Sequence, residues 1–241
     1  MHSITMKKIQ LLIFLFLSLS PFFSQKIDFK SNIQIFYSLD FKPDSTQAKK
    51  INDVVCLYIG EKQSIYQDER KSKVDSIIAK QRVTLLPPKP MFRVNHVIFK
   101  DLKKSELTYS EIIDNAVFGY TEPFSNMKWK ITNEKKKILT HECIKAETKF
   151  RGRNYIAWFT KDIPISDGPY KFAGLPGLIL EVYDDKDSFH YQLLAIEKKP
   201  KNILYETNIR FIDRKKLIDS KINNIIKNSK TEVKLNPMEK N

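Results

Sequence analysis

Ile33-Gln34-Ile35-Phe36-Tyr37-Ser38-Leu39-Asp40-Phe41 decides the fold. Ile33, Ile35, Tyr37, Leu39 and Phe41 fall on one face of an extended chain, and Gln34, Ser38 and Asp40 on the other, with Phe36 as the exception. A period of two with one apolar face predicts a half-buried antiparallel strand. Val54–Ile59 is the next strand, and the alternation recurs beyond it in Phe92, Val94, His96 and Ile98, then Leu107 and Tyr109, then, after a break, Ala116, Phe118 and Tyr120. Met127, Trp129 and Ile131 predict a short strand. Ile138–Phe150 and Tyr155–Thr160 flank a hairpin turn at Arg151-Gly152-Arg153-Asn154, and Leu178–Tyr183 and Ser188–Ile196 flank a second at Asp184–Asp187. Short connections between successive strands predict a meander, not a parallel sheet with crossover helices.

Two segments break the period. Gln67–Arg82 places Val74, Ile77, Ile78 and Val83 among charges and predicts an amphipathic helix that ends before the stiff Pro87-Pro88-Lys89-Pro90. Asp213–Asn228 carries Leu217, Ile218, Ile222, Ile225 and Ile226 on one stripe, with Asp213 as N-cap. The expected class is α+β: a large curved antiparallel sheet, a half-barrel-like meander, with one or two packed helices.

Met1–Ser24 has the three parts of a secretory leader: Lys7 and Lys8, the apolar run Leu11–Leu17, and small residues at Ser18, Ser20 and Ser24. Cleavage is expected between Ser24 and Gln25. The run breaks at Ser18 and Pro21, short of the roughly 20 apolar residues of a membrane-spanning helix, and no cysteine stands at the cleavage point to carry a lipid. The expected organisation is a leader at 1–24, one β-rich domain at 25–230 and a loose polar tail at 231–241, periplasmic or secreted, with no transmembrane segment in the mature chain. The formal charge of the full sequence is +14, of which Lys7 and Lys8 supply two. Export makes an anionic envelope component or an outer-membrane protein a more natural partner than nucleic acid, and lysines scattered over the surface serve solubility as well.

Cys56 and Cys143 are the only two cysteines. In an oxidising compartment an even count invites a disulfide, while both positions fall inside predicted strands, where small buried thiols are also common. Their spacing supports no metal site, and no cofactor is expected. His141-x-Cys143 puts imidazole and thiol on one strand face roughly 7 Å apart, too far for a nucleophile and its base. Asp184-Asp185-Lys186-Asp187 lacks the glycine and distal glutamate of a calcium loop.

Phe150-Arg151-Gly152-Arg153, Ala157-Trp158-Phe159-Thr160, Asp162-Ile163-Pro164-Ile165, Gly168-Pro169 and Gly174-Leu175-Pro176-Gly177-Leu178-Ile179 form a specific pattern. With Trp129-x-Ile131, Glu134, Lys137-Ile138 and Cys143-x-x-Ala146 upstream, it resembles the GLPGLI family of exported bacterial proteins over about Trp129–Asp184. Tyr170 stands where a Trp, and His141 where a Tyr, would be usual for that family. The resemblance implies export and architecture and supplies no catalytic residues. Physically, Pro176-Gly177 suits the centre of a type II turn, and Asp162–Gly177 is expected to be an ordered loop that either covers a sheet edge or presents Tyr170, Lys171 and Phe172 to a partner. Arg151 and Arg153 are candidates to hold an anion or to form a solvated turn, and Trp158 is a candidate binding aromatic. The leading expectation is a non-enzymatic carrier enclosing an apolar or anionic envelope ligand between curved sheet and helix. The alternatives are an accessory subunit docking on an outer-membrane transporter through the loop, and a hydrolase whose site emerges only on folding.

Overall fold

A computed structural model describes residues 24–74, 93–124, 127–228 and 236–239. Thirteen strands form one sheet in it: β1 (Ser24–Ser31), β2 (Ile33–Phe41), β3 (Ile51–Ile59), β4 (Gln63–Asp68), β5 (His96–Asp101), β6 (Glu106–Ile113), β7 (Ala116–Pro123), β8 (Lys130–Ile138), β9 (His141–Phe150), β10 (Arg153–Thr160), β11 (Leu178–Asp184), β12 (Phe189–Glu197) and β13 (Lys201–Phe211), followed by helix α1 (Arg214–Asn228). Their spatial order is β1-β13-β7-β6-β5-β4-β3-β2-β12-β11-β10-β9-β8. Two antiparallel meanders, β2–β7 and β8–β12, are joined where β12 pairs with β2. The sheet is large and, because β13 pairs parallel with β7 through Ile209–Phe211, mixed; its end strands β1 and β8 do not pair with each other, so it is not closed into a barrel.

Alternation explains the main core. Ile35, Tyr37 and Leu39 of β2, Val55 and Leu57 of β3, and Tyr66, Ile98 and Tyr109 of the next strands share one buried cluster. The opposite faces of β3–β5 are covered as well. Cys56, Tyr58, Ile65 and Val97 pack against Ile27 and Phe29 of β1 and Ile203 and Tyr205 of β13, with Phe36 at the margin. A strand buried on both faces reads as a continuous apolar run, which is why Val54–Ile59 has no polar side.

The expected leader lies outside the described residues except for Ser24, the first residue of β1. Of the helix expected over Gln67–Arg82, Gln67 and Asp68 end β4, residues 69–74 are helical, and the remainder lies outside the described residues. Where one strand is expected over Ile138–Phe150, the chain turns at Leu139, with φ of 51°, and splits into β8 and β9. The short strand expected at Met127 begins only at Lys130. The cysteines are both free and buried. Cys56 belongs to the second cluster and Cys143 to the main one, so no bridge forms between them. Burial pushes their thiols up, to about 12 and about 11. Part of the tail expected to be loose is tied down, since Asn236 N–H donates to Pro43 O at 3.1 Å and Tyr155 OH to Met238 O at 2.8 Å.

The loop between β10 and β11 is a core element. Ile163, Tyr170, Phe172, Ala173 and Leu175 are all buried. Its acidic centre, Asp167, accepts from Lys100 Nζ at 2.5 Å and Ser64 Oγ at 2.6 Å, and Lys100 also donates to Gly168 O at 2.9 Å. Tyr37 OH donates to Ile179 O at 2.8 Å, and Trp129 Nε1 to Ala173 O at 2.8 Å. Gly174-Leu175-Pro176-Gly177-Leu178-Ile179 is thus an anchor, with Leu175, Leu178 and Ile179 at 1% exposure or less. The expected type II turn is not what forms. Gly177 N–H donates to Leu175 O at 2.8 Å, a three-residue turn about Pro176. Glycine is still required at 177: its φ is +155°, and a Cβ there would meet Thr160 O at 2.0 Å. Gly177→Ala should therefore destabilise by on the order of 3 kcal/mol. Denaturant unfolding checks this, and a midpoint equal to wild type would mean that the Thr160 carbonyl is free to move.

Candidate functional site

A cavity of about 550 Å³ lies between α1 and the inner side of the sheet. Leu217, Ile218, Ile222 and Ile225 of α1 form one wall, and Leu39, Phe41, Val94 and Phe189 line the side contributed by the rest of the chain. Met238 and Glu239, from the C-terminal segment 236–239, border it too. The periodicity that makes α1 amphipathic therefore turns its apolar stripe toward a space, not into a filled core; Leu217 is buried while Ile222 is 36% exposed.

Along the cavity runs a column of rings from adjacent strands. Tyr66 stacks on His96 at 5.7 Å between centroids, His96 on Tyr109 at 5.4 Å, and Tyr109 on Tyr120 at 5.2 Å. Tyr170, from the loop, meets His96 edge-on at 5.6 Å. Inward residues of successive strands stand side by side, which is how a period of two builds such a column. His96 Nε2 is buried with no hydrogen-bond partner among the described residues. Burial pushes the His96 imidazole down to about 4; Glu111 opposes this, and Lys221 and Lys171 add to it. Below it, Glu111 accepts from Tyr109 OH at 2.7 Å and pairs with Lys221 of α1 at 2.8 Å. Burial works to raise the Glu111 carboxyl, but Lys221, His96 and these hydrogen bonds hold it below the usual carboxylate range.

At one end of the cavity sits a buried charge cluster. Lys171 Nζ lies 2.7 Å from Glu122 Oε1, 2.7 Å from Glu239 Oε1 and 2.7 Å from Tyr120 OH. Arg151 pairs with Glu122 at 2.6 Å and Glu239 at 3.2 Å, and Arg214, the first residue of α1, with Glu239 at 2.6 Å. Tyr170 OH donates to Glu239 Oε1 at 2.6 Å. Burial works to raise the Glu239 carboxyl, but Lys171, Tyr170 and Arg151 outweigh it and hold it below the usual range.

Of the residues singled out from the sequence, Tyr170, Lys171 and Arg151 come together here. Tyr170 and Lys171 point inward, at 6% and 1% exposure, so the loop does not present them to an outside partner. Phe172 packs among Tyr155, Phe150 and Trp129 instead. Arg153 is no solvated turn residue: it pairs with Asp184 at 2.8 Å and donates to Pro237 O at 2.9 Å and to Asn236. Trp158 does not line the cavity, and its ring is capped by Lys136 Nζ at 4.4 Å. Sequence reasoning misses Glu122, Glu239, Arg214 and His96. The first three are scattered through β7, the tail and α1, and only the tertiary fold brings them within reach of Lys171. His96 alone carries a signal, as a titratable residue that follows Phe92 and Val94 and precedes Ile98 on one alternating face. Among the described residues no three His, Cys, Asp or Glu side chains converge as metal ligands would, and no helix is long and apolar enough to cross a membrane.

Residues 150–181 match a family model described as "Protein of unknown function (Porph_ging)". No curated protein matches the chain. Two solved structures, of PNGF-II in C2 and P21 space groups, resemble 80% of this chain with TM-scores of 0.56 and 0.57 at 17% identity. The chain spans about a third of their length, 33% and 34% respectively. At this identity the likeness is one of fold.

The low His96 value has a consequence for stability. The unfolded chain takes a proton on this group below about pH 6.5, while the folded protein takes it only near 4, so stability falls as the pH is lowered through that window, in total by on the order of 3 kcal/mol. The shifted carboxylates Glu111 and Glu239 act below it. His96→Phe, which keeps a ring in the column, should flatten the decline between pH 6.5 and 4.5. An unchanged slope in chemical unfolding would assign the decline to other groups.

Proposed function

We propose that the chain is an exported binding protein of the GLPGLI type that holds an acyl-chain-like, apolar or amphipathic ligand of the cell envelope in the cavity beneath α1. The observation that carries this is the cavity itself. Its volume of about 550 Å³ falls within the roughly 300–1,000 Å³ of small-molecule sites, which are mostly apolar with a few placed polar groups. Leu39, Val94, Leu217 and Ile218 supply the apolar surface, and His96 and Glu111 the polar points. The leader-like Met1–Ser24 and the Gly174–Ile179 hexapeptide, inside the matched 150–181 segment, support export and the family reading. Binding is favoured over catalysis because the cavity's carboxylates are engaged by their own cations, Glu111 by Lys221 and Glu239 by Lys171 and Arg214. Docking through the Asp162–Gly177 loop is disfavoured by the burial of its aromatic and cationic centre.

Filling the cavity tests the proposal. Ile218 lines it from a half-buried position on α1, so Ile218→Trp adds bulk there at modest cost to the core. A fluorescent long-chain fatty-acid probe should bind the wild type and bind this variant at least tenfold more weakly. Equal affinity for both would place any probe site elsewhere and defeat the proposal.

A further inference from the structure

Three cations surround two carboxylates at the end of the cavity, but the two carboxylates are held very differently. Glu122 belongs to β7, inside the sheet. Glu239 arrives on segment 236–239, which joins no strand and is held by side-chain and isolated backbone hydrogen bonds: Asn236 to Lys42 O at 2.9 Å and to Pro43 O at 3.1 Å, Arg153 to Asn236 and twice to Pro237 O, Tyr155 OH to Met238 O, and Tyr191 OH to Met238 Sδ at 3.3 Å. Its carboxylate is met from several sides by Lys171 Nζ, Arg214, Arg151 Nε and Tyr170 OH. Tyr170, Arg214 and Glu239 also line the apolar cavity, so the charged cradle and the apolar space are continuous.

Without Glu239, Glu122 alone would face Lys171, Arg151 and Arg214, leaving two buried positive charges uncompensated. Lys171 is wholly buried and the two arginine side chains are 25% and 19% exposed. Buried cations left without an anion are strongly unfavourable, and a planar guanidinium beside an ammonium suits a carboxylate or phosphate. The chain's own side chain fills that place with the same chemistry a ligand head group would bring.

We propose that Arg151, Lys171, Arg214 and the Tyr170 hydroxyl form an anion site, that Glu239 is its intramolecular occupant, and that an amphiphile bearing a carboxylate or phosphate head enters by displacing Glu239 while its apolar part fills the cavity. The apolar half of this rests on the function proposed above; the anion site does not. Residues 236–239 act as a strap that keeps the site neutralised until a competing anion arrives, so ligand affinity is set by competition with an internal carboxylate.

Two measurements on the full chain, wild type against Glu239→Gln, test it. In the first, inorganic phosphate is added during thermal unfolding; it should stabilise Glu239→Gln clearly more than wild type. In the second, hexadecanoate and hexadecanol compete with the fluorescent probe. Glu239→Gln should bind hexadecanoate about tenfold more tightly than wild type, with hexadecanol unchanged. Arg214→Gln in the otherwise natural chain should weaken hexadecanoate and spare hexadecanol, which tests the site even should Glu239→Gln fold poorly. A phosphate response with neither amphiphile bound would leave the anion site standing and defeat the cavity's proposed role. Both amphiphiles bound with no phosphate response and no difference between carboxylate and alcohol would overturn the anion site and leave the cavity reading intact.

Discussion

Lys100 Nζ and Asp167 Oδ1 meet at 2.5 Å with side chains at 0% and 1% exposure, between β5 and the middle of the β10–β11 loop. Such a pair is a poor source of net stability, because desolvating both charges offsets most of their attraction. Its effect is on position. Lys100 points inward because it continues the His96–Ile98 face of β5, and once there it is costly to leave without an anion. Asp167 supplies it, Ser64 and the Gly168 N–H complete the carboxylate's hydrogen bonds, and the loop is thereby tied to the centre of the sheet. On either side of that tie the chain has little freedom. Ile179 N–H is bonded to Asp167 O at 3.0 Å, and Leu178 N–H to Ile163 O at 3.0 Å.

With the loop fixed, the division of the interior follows. Phe172 fills the space facing β9 and β10, while Tyr170 and Lys171 reach toward β6 and β7, where Tyr109, Tyr120 and Glu122 receive Lys171. The space left beyond Tyr170 is bounded by α1 and the 236–239 segment and is the cavity. The loop that carries the family-like hexapeptide forms a wall and brings two polar groups, Tyr170 OH and Lys171 Nζ, to the charge cluster. What the fold leaves open is a mostly apolar space with a charge cluster at one end, the Glu111–Lys221 pair beside it and an aromatic column along the side.

Much of the sheet is legible in the amino-acid sequence because period-two alternation is a direct consequence of one-sided burial. Ile33–Phe41 shows it, and even its exception is informative: Phe36 points to the second cluster beneath β1 and β13. Those two strands are harder to read, since β1 adjoins a leader-like run and β13 divides its pairing between β1 and β7. The β8–β9 turn is invisible because Leu139 takes a positive φ without the Gly or Asn that usually marks one. The site is mostly illegible for a different reason. Arg151 and Lys171 stand out as cations near a rigid motif, yet their carboxylates, Glu122 and Glu239, lie at sequence distances that no pattern connects. A polar tail with no apolar periodicity predicts a loose end, whereas Glu239 and Met238 tie it to the core through one charge and one thioether.

A double-mutant cycle between Lys100→Met and Asp167→Asn, read by denaturant unfolding, tests the positional role of this pair most directly. Each single change strands a buried polar or charged partner and should cost about 3–5 kcal/mol. The double change removes both charges and should recover at least about 2 kcal/mol of the summed loss. Strictly additive effects would mean that the pair does not hold the loop against the sheet, and the account of how the cavity is shaped would fail with it.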